Sequence, residues 1–382
     1  MRRILAAMAL MMLLPACALA AQITMTLQSD EAGESRLAVF SAEADGIDAA
    51  PEQPDAVALA IDAQIEARFA QQKALLAVKR GTVTQTGSVW QDGKTASMAL
   101  VWQGEQADGS DGCMATGLNV SLETGEEILL EQLLTDWDGA LAAMEAILSD
   151  DVLDGMSDYM EYSDLLPMPT DNYSFDDFGL TVYWPEDRYR YFDGMSGSVT
   201  FYWHELAAFI GEDSPAYALA HPNALSGVGE IEALCGRGEV TPMLTLKLGE
   251  LLGDTAYRLA DPDYTTDALV YPLERVRGYA VEIPKYAETQ EAQTPVSAIR
   301  ASRVSMAGLL TTGKTTREEI VALLGEPSRE LAFDEDAALD AMLEPGTSLM
   351  YTLAGRVLQA HVGEDGVLSC VILRDAMPEG LY

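Results

Sequence analysis

Residues 82–103 limit the folds open to this chain more than any other stretch. Two strand-like runs, residues 82–91 and 95–103, flank Asp92-Gly93. Asp-Gly is the dipeptide a tight hairpin favours, because its two central residues take positive φ. A hairpin there makes the surrounding sheet antiparallel. The neighbours fit: residues 23–28 and 36–42 read as strands, and residues 113–122 as another, closed by a Thr124-Gly125 turn. A helix opens at Pro51 to Pro54 and runs through Val78, with Val57, Ile61, Ile65, Phe69, Leu75 and Leu76 near helical spacing. Further helices are expected over 129–135, 138–148 and 150–162. A polar, Pro-bearing loop then leads to strands over 180–184 and 198–203. This order gives an α+β fold with an N-terminal antiparallel sheet and packed helices.

The second half reads as a smaller helix-plus-antiparallel-sheet module. A weak internal echo points to duplication: residues 244–253 share their rhythm with 311–325. The first copy ends in strands over 278–283 and 296–304, the second in strands over 358–362 and 367–373 joined by Glu364-Asp365-Gly366. Gly308 to Thr315 also satisfies G-x-x-x-x-G-K-[ST], the pattern of a phosphate-cradling loop. The residues after Lys314 explain themselves otherwise. Thr315-Thr316-Arg317-Glu318 fits a capping box, with Glu318 reaching back, ahead of an apolar face of Ile320, Val321, Leu323 and Leu324. Gly325 and Pro327 stop that helix. No strand ending in Asp follows, and no parallel α/β alternation surrounds the motif, so no nucleotide and no cofactor are expected.

At the N-terminus Arg2 and Arg3 precede an apolar run over 4–14, Pro15 breaks it, and Ala18-Leu19-Ala20 supplies a small-x-small site. This is a secretory signal peptide over 1–20, cleaved between Ala20 and Ala21. The same segment supports a second reading, lipidation at Cys17 within Leu14-Pro15-Ala16-Cys17. Membrane contact is expected only in that case. The chain carries 61 Asp and Glu against 23 Lys and Arg, a formal net charge of −38. Such a charge repels nucleic acid and attracts cationic partners. The remaining cysteines, Cys113, Cys235 and Cys370, allow one bridge at most. His204-Glu205-Leu206 begins like a zinc-protease helix, but Ala208 stands where the second ligand belongs, and no metal is expected. Asp261, Asp263 and Asp267, and Asp334 with Asp336, resemble starts of calcium loops but lack the Gly and Glu such loops need. Tyr183, Trp184, Tyr202 and Trp203 could wall a ligand site. At alternating strand positions such aromatics are more often core.

Two resemblances follow from these residues. Thr116 to Gly125, with 129–134 after it, resembles the "N-x-D-L-x-T-G-K, then L-x-D-L-F" passage of the RsiV-type extracytoplasmic domain. Phe178 to Trp184 and then 197–206 are similar to that family's later strands. Asp111-Gly112-Cys113-Met114 departs from the Gly-Gly-Ala-His passage common there. Gly313, Thr316, Glu319, Ile320, Leu323, Leu324, Gly325 and Pro327 resemble the SmpA/OmlA-type domain, whose fold is that of β-lactamase-inhibitor proteins. The implied organisation is a signal peptide over 1–20, an RsiV-like domain over 21–212, a linker over 213–238, a degenerate repeat over 239–305 and an SmpA/OmlA-like domain over 306–376. The resemblances imply a non-catalytic extracytoplasmic binding protein of the bacterial cell envelope, whose partner is a basic, lysozyme-like protein or a cell-wall polymer. The alternatives are a wall-acting hydrolase using carboxylates and a structural or assembly factor of the envelope.

Overall fold

The computed structural model describes residues 21–29, 36–44, 56–77, 83–105, 111–149, 165–184, 197–221, 227–257, 259–273, 276–287 and 291–375. The chain divides into two compact units, Met1–Phe201 with Phe209–Pro215, and Tyr202–Ala208 with Ala216–Tyr382. Both mix helices with antiparallel sheet, an α+β architecture.

In the first unit β1 (Ala21–Ser29), β2 (Arg36–Ala44), β3 (Val83–Gln91), β4 (Thr95–Glu105) and β5 (Asp111–Ser121) lie in sequence order. All neighbours pair antiparallel except β2 and β3, which meet in parallel at Arg36 and Thr84. Period-two alternation along β4 sends Ala96, Met98 and Leu100 to one face, against α1 (Ala56–Ala77). That helix answers with Ile61, Ile65 and Phe69, four residues apart and all buried. Each such side chain contributes about 1.5–3 kcal/mol on burial. The other face carries Ser97 and Ala99. It receives a short sheet of β6 (Tyr173–Phe175), β7 (Gly179–Tyr183) and β8 (Ser198–Tyr202). Short α2 (Leu130–Leu133) and α3 (Trp137–Ile147) follow β5, and the Asp136 side chain caps α3 by accepting from Gly139 N at 3.3 Å.

The second unit opens with α4 (Trp203–Leu206), and α5 (Tyr217–Ala220) and α6 (Gly227–Arg237) follow within the stretch read as a linker. Its sheet is built from β9 (Asp263–Tyr264), β10 (Ala268–Pro272), β11 (Tyr279–Pro284) and β12 (Ala298–Ala301). A small hairpin, β13 (Ser305–Met306) and β14 (Leu310–Thr311), precedes α7 (Arg317–Leu324). Then come β15 (Arg329–Phe333), α8 (Glu335–Ala341), β16 (Gly346–Leu353), β17 (Arg356–Gly363) and β18 (Leu368–Asp375). Eight of these strands form one sheet in the order β15-β16-β17-β18-β12-β11-β10-β9. The strand pairs of the two echoing segments thus join one sheet through β12 and β18.

Several local details differ from expectation. The first hairpin turns on Gly93-Lys94, one residue later than read. Asp92 N and Thr95 O close it at 3.2 Å, and only Gly93 has positive φ, +88°. The Asp92 carboxylate accepts from Lys94 N and Thr95 N at 2.9 and 2.8 Å, so Asp92 acts as a side-chain cap. Residues 244–253 contain no α-helix where the second copy has α7. Leu244, Leu246 and Leu248 are buried with exposed residues between them, the period of extended chain. The helix expected over 150–162 lies outside the described residues, as do Cys17 and Ala20.

Candidate functional site

The first unit holds a cleft of about 630 Å³ where β5 forms the outer edge of its sheet. An edge strand presents backbone N–H and C=O groups that need partners. Part of β5 is covered by the chain itself: Gly125, at φ +74°, turns residues 126–128 back, and Ile128 N donates to Asn119 O at 2.8 Å. The next part is covered by a side chain. Asn172 Oδ1 accepts from Gly117 N at 3.0 Å, while its Nδ2 donates to Ala115 O at 3.1 Å and Tyr183 O at 3.2 Å. This one amide does for β5 what a neighbouring peptide group would do.

Buried polar residues on β4 and β5 seat the strand that follows. Asn119 Nδ2 donates to Tyr173 O at 2.8 Å, and Ser97 Oγ accepts from Phe175 N at 2.7 Å. Gly117 permits the approach, since a Cβ there would lie 1.9 Å from Tyr173 O. Across the cleft, α1 presents Gln64 and Arg68. Arg68 Nη1 donates to Asp171 O at 2.9 Å and the guanidinium pairs with Glu127. Gln64 Nε2 donates to Gly125 O, which leaves its buried Oε1 without a partner in the protein. Guanidinium, carboxylate and amide thus ring a floor of Met114, Ala115 and Leu118. Among the described residues no grouping of three or more His, Cys, Asp or Glu could hold a metal ion.

The four aromatics named from the sequence are all buried. Tyr183 and Trp184 line the cleft, but their polar atoms are committed inward. Tyr183 OH shares a 2.7 Å hydrogen bond with Ser174 Oγ, and burial pushes the phenol up to about 12. Trp184 Nε1 donates to Leu165 O at 2.9 Å. Tyr202 and Trp203 belong to the second unit, where Tyr202 OH donates to Arg277 O at 2.6 Å. Ala21 opens β1 buried, and its N donates to Leu122 O at 3.2 Å. Gln64, Arg68, Glu127 and Asn172 escaped the sequence reading. Their only local signal was a polar position on an amphipathic helix or a loop.

The G-x-x-x-x-G-K-T stretch has its amides in use. Gly313 N donates to Leu368 O at 2.8 Å, Thr315 N to Thr311 O at 2.9 Å, and Lys314 Nζ to His204 O at 2.6 Å. Helix α7 starts one residue later than expected: Thr316 is the N-cap, and Glu319 reaches back to Thr316 N at 2.9 Å in place of Glu318. Of its apolar residues only Ile320 is fully buried. Cys235 and Cys370 are buried free thiols, which burial pushes up to about 12 and about 11. The Cys113 side chain lies outside the described residues. Asp334 caps α8, accepting from Ala337 N at 2.9 Å.

No family model and no curated protein sequence matches the chain, so neither the RsiV-type nor the SmpA/OmlA-type resemblance gains a family match. Solved structures similar to the chain include three of domain families of unknown function. A DUF3298 family protein from Pseudomonas aeruginosa PAO1 aligns at 12% identity over 51% of this chain and 95% of its own, with a TM-score of 0.33. One from Bacteroides fragilis aligns at 14% identity over 51% and 96%, with a TM-score of 0.30. A DUF4309 family protein from Bacillus subtilis aligns at 14% identity over 39% and 95%, with a TM-score of 0.22.

Proposed function

We propose that this chain is a non-catalytic binding protein of the bacterial cell envelope, exported by its leader, and that the first unit's cleft recognises a basic protein of the lysozyme kind. The cleft carries the reading: a polar-rimmed hollow with Glu127 and Asp171 in its wall, in a chain of net charge −38. Long-range attraction brings a cationic partner in quickly, and a shaped site then distinguishes it from other cations. A cell-wall polymer is the second ligand class, because hydroxyl-rich chains suit an open amide and carboxylate wall. Contact with the membrane arises only through a lipidated Cys17.

Ala67 lines the cleft from the exposed side of α1, and Ala332 is exposed on β15 in the second unit. Ala67→Arg and Ala332→Arg change the charge equally. Arg suits a helix nearly as well as Ala. Lysozyme titrated calorimetrically at low and physiological salt should bind the wild type and Ala332→Arg alike. Ala67→Arg should bind roughly tenfold more weakly, about 1.4 kcal/mol. Equal weakening by both variants, with release as salt rises, would reduce the interaction to general attraction and sink the reading. Binding of soluble wall fragments in place of lysozyme, lost in Ala67→Arg, would assign the cleft to the polymer.

A further inference from the structure

The second unit carries a separate hollow that the envelope-binding role does not use. It runs across β10, β11, β12 and β18 on one face of the eight-stranded sheet and encloses about 510 Å³. Small-molecule sites span roughly 300–1,000 Å³. The hollow exists because its floor is built of small residues, Ala280, Ser302 and Cys370, while Val270, Leu273 and Leu343 wall it.

Charge at the Gly278 end is out of character for so acidic a chain. The Arg303 stem lies over Gly278, where a Cβ would come within 2.4 Å of its Cγ. Arg277, next in sequence, holds its guanidinium 5.0 Å over the Tyr202 ring and pairs with Glu205 at 2.7 Å. Lys314 bonds the His204 carbonyl, adjacent to Tyr202 in space through the stacked His204 ring. Burial lowers the pKa of His204 to about 4, and Lys314, Arg277 and Arg303 all push it the same way, so three cations act on one imidazole. Arg300 also lines the trough, paired with Glu282 and donating to the carbonyls of Ala341 and Met342, and Glu344 shares the lining.

We propose that this trough binds a single-chain fatty acid, with the alkyl chain across Ala280 and Cys370 and the carboxylate at the Gly278 end, beside Arg277 and Arg303. The apolar floor takes up the chain, and the cationic end selects the sign of the head group. This site is independent of the first unit's cleft and stands whether or not lysozyme binds.

The test is calorimetric titration of the whole protein with dodecanoate, dodecanol and dodecyltrimethylammonium, each below its aggregation concentration. Dodecanoate should bind best and the ammonium not at all. Ala280→Leu and Ser302→Leu, which fill the floor, should each weaken dodecanoate at least roughly tenfold at unchanged circular dichroism. Arg303→Gln should weaken dodecanoate but not dodecanol. The proposal is overturned if the ammonium or dodecanol binds as tightly as dodecanoate, if wild type binds none of the three, or if both filled variants that retain the wild-type spectrum bind like wild type.

Discussion

Gly117 shows how much of the cleft rests on single atoms. Its missing Cβ lets Tyr173 O approach, and its N–H is one of the groups the Asn172 side chain satisfies. Gly117→Ala must push β6 away from β5, breaking the bonds from Asn119 and Ser97 that seat it. Overpacking and broken buried hydrogen bonds together cost about 2–4 kcal/mol. The melting temperature should therefore fall by several degrees and the lysozyme affinity should fall with it. A variant that melts within a degree of wild type would show that β6 is not seated on that glycine. A glycine inside a strand marks a place where another backbone can come close. What approached was not legible, because the partner sits some fifty residues on, in a stretch that reads as loop. The aromatics were similarly half readable. Burial of Trp184 and Tyr202 requires a partner for each polar atom, and those partners, Leu165 O and Arg277 O, are backbone groups that no side-chain pattern specifies.

At the scale of elements, the strands over 82–103 and 113–122 were readable because period-two alternation and a Gly turn act locally. Helix α7 illustrates the limit of such local signals. Thr315 and Thr316 each stand three residues before a glutamate, so the sequence offers two capping boxes. Thr315 is withdrawn by its own neighbours, since its hydroxyl accepts from Thr311 N at 2.8 Å and donates to Leu309 O at 3.2 Å. Thr316 is left to cap. Glu319→Ala should then cost about 0.5–1.5 kcal/mol in urea unfolding, while Glu318→Ala should stay within about 0.5 kcal/mol. Equal losses would mean the box does not start this helix. Strands β6 and β10 escaped for different reasons. β6 has three residues and is held by side chains from other strands. β10 is buried along most of its length, so it lacks the alternation that betrays a half-exposed strand.

Across the whole molecule, pairing of β12 with β18 was beyond the sequence, because segments some seventy residues apart carry no local mark of each other. Two histidines of the second unit make stability respond to pH. His361 is fully buried on β17. Its Nε2 donates to Glu344 O at 2.8 Å, and its Nδ1 accepts the Ser348 hydroxyl at 2.8 Å, which itself accepts from Gln359 at 2.9 Å. A second ring proton would face the Ser348 hydroxyl proton, and burial already lowers this pKa. His204 is lowered to about 4, first by burial and then by Lys314, Arg277 and Arg303. Both values lie below the roughly 6.5 of an unfolded histidine, so the unfolded chain takes up protons first. Stability present above pH 6.5 is therefore lost as pH falls, for His204 over the window from about 6.5 to about 4. The slope is up to about 1.4 kcal/mol per pH unit per proton. Repulsion among the acidic side chains works oppositely, but 0.15 M salt screens exposed charges beyond about 8 Å. Between pH 6.5 and 5 the histidines should win. The melting temperature should fall over that range, and His204→Asn and His361→Asn should each flatten the fall whatever they do to the starting value. Proton NMR titration reads the cause directly: the His204 ring should titrate near 4. A midpoint near 6.5, or a melting temperature that holds or rises on acidification, would remove the histidines from the account.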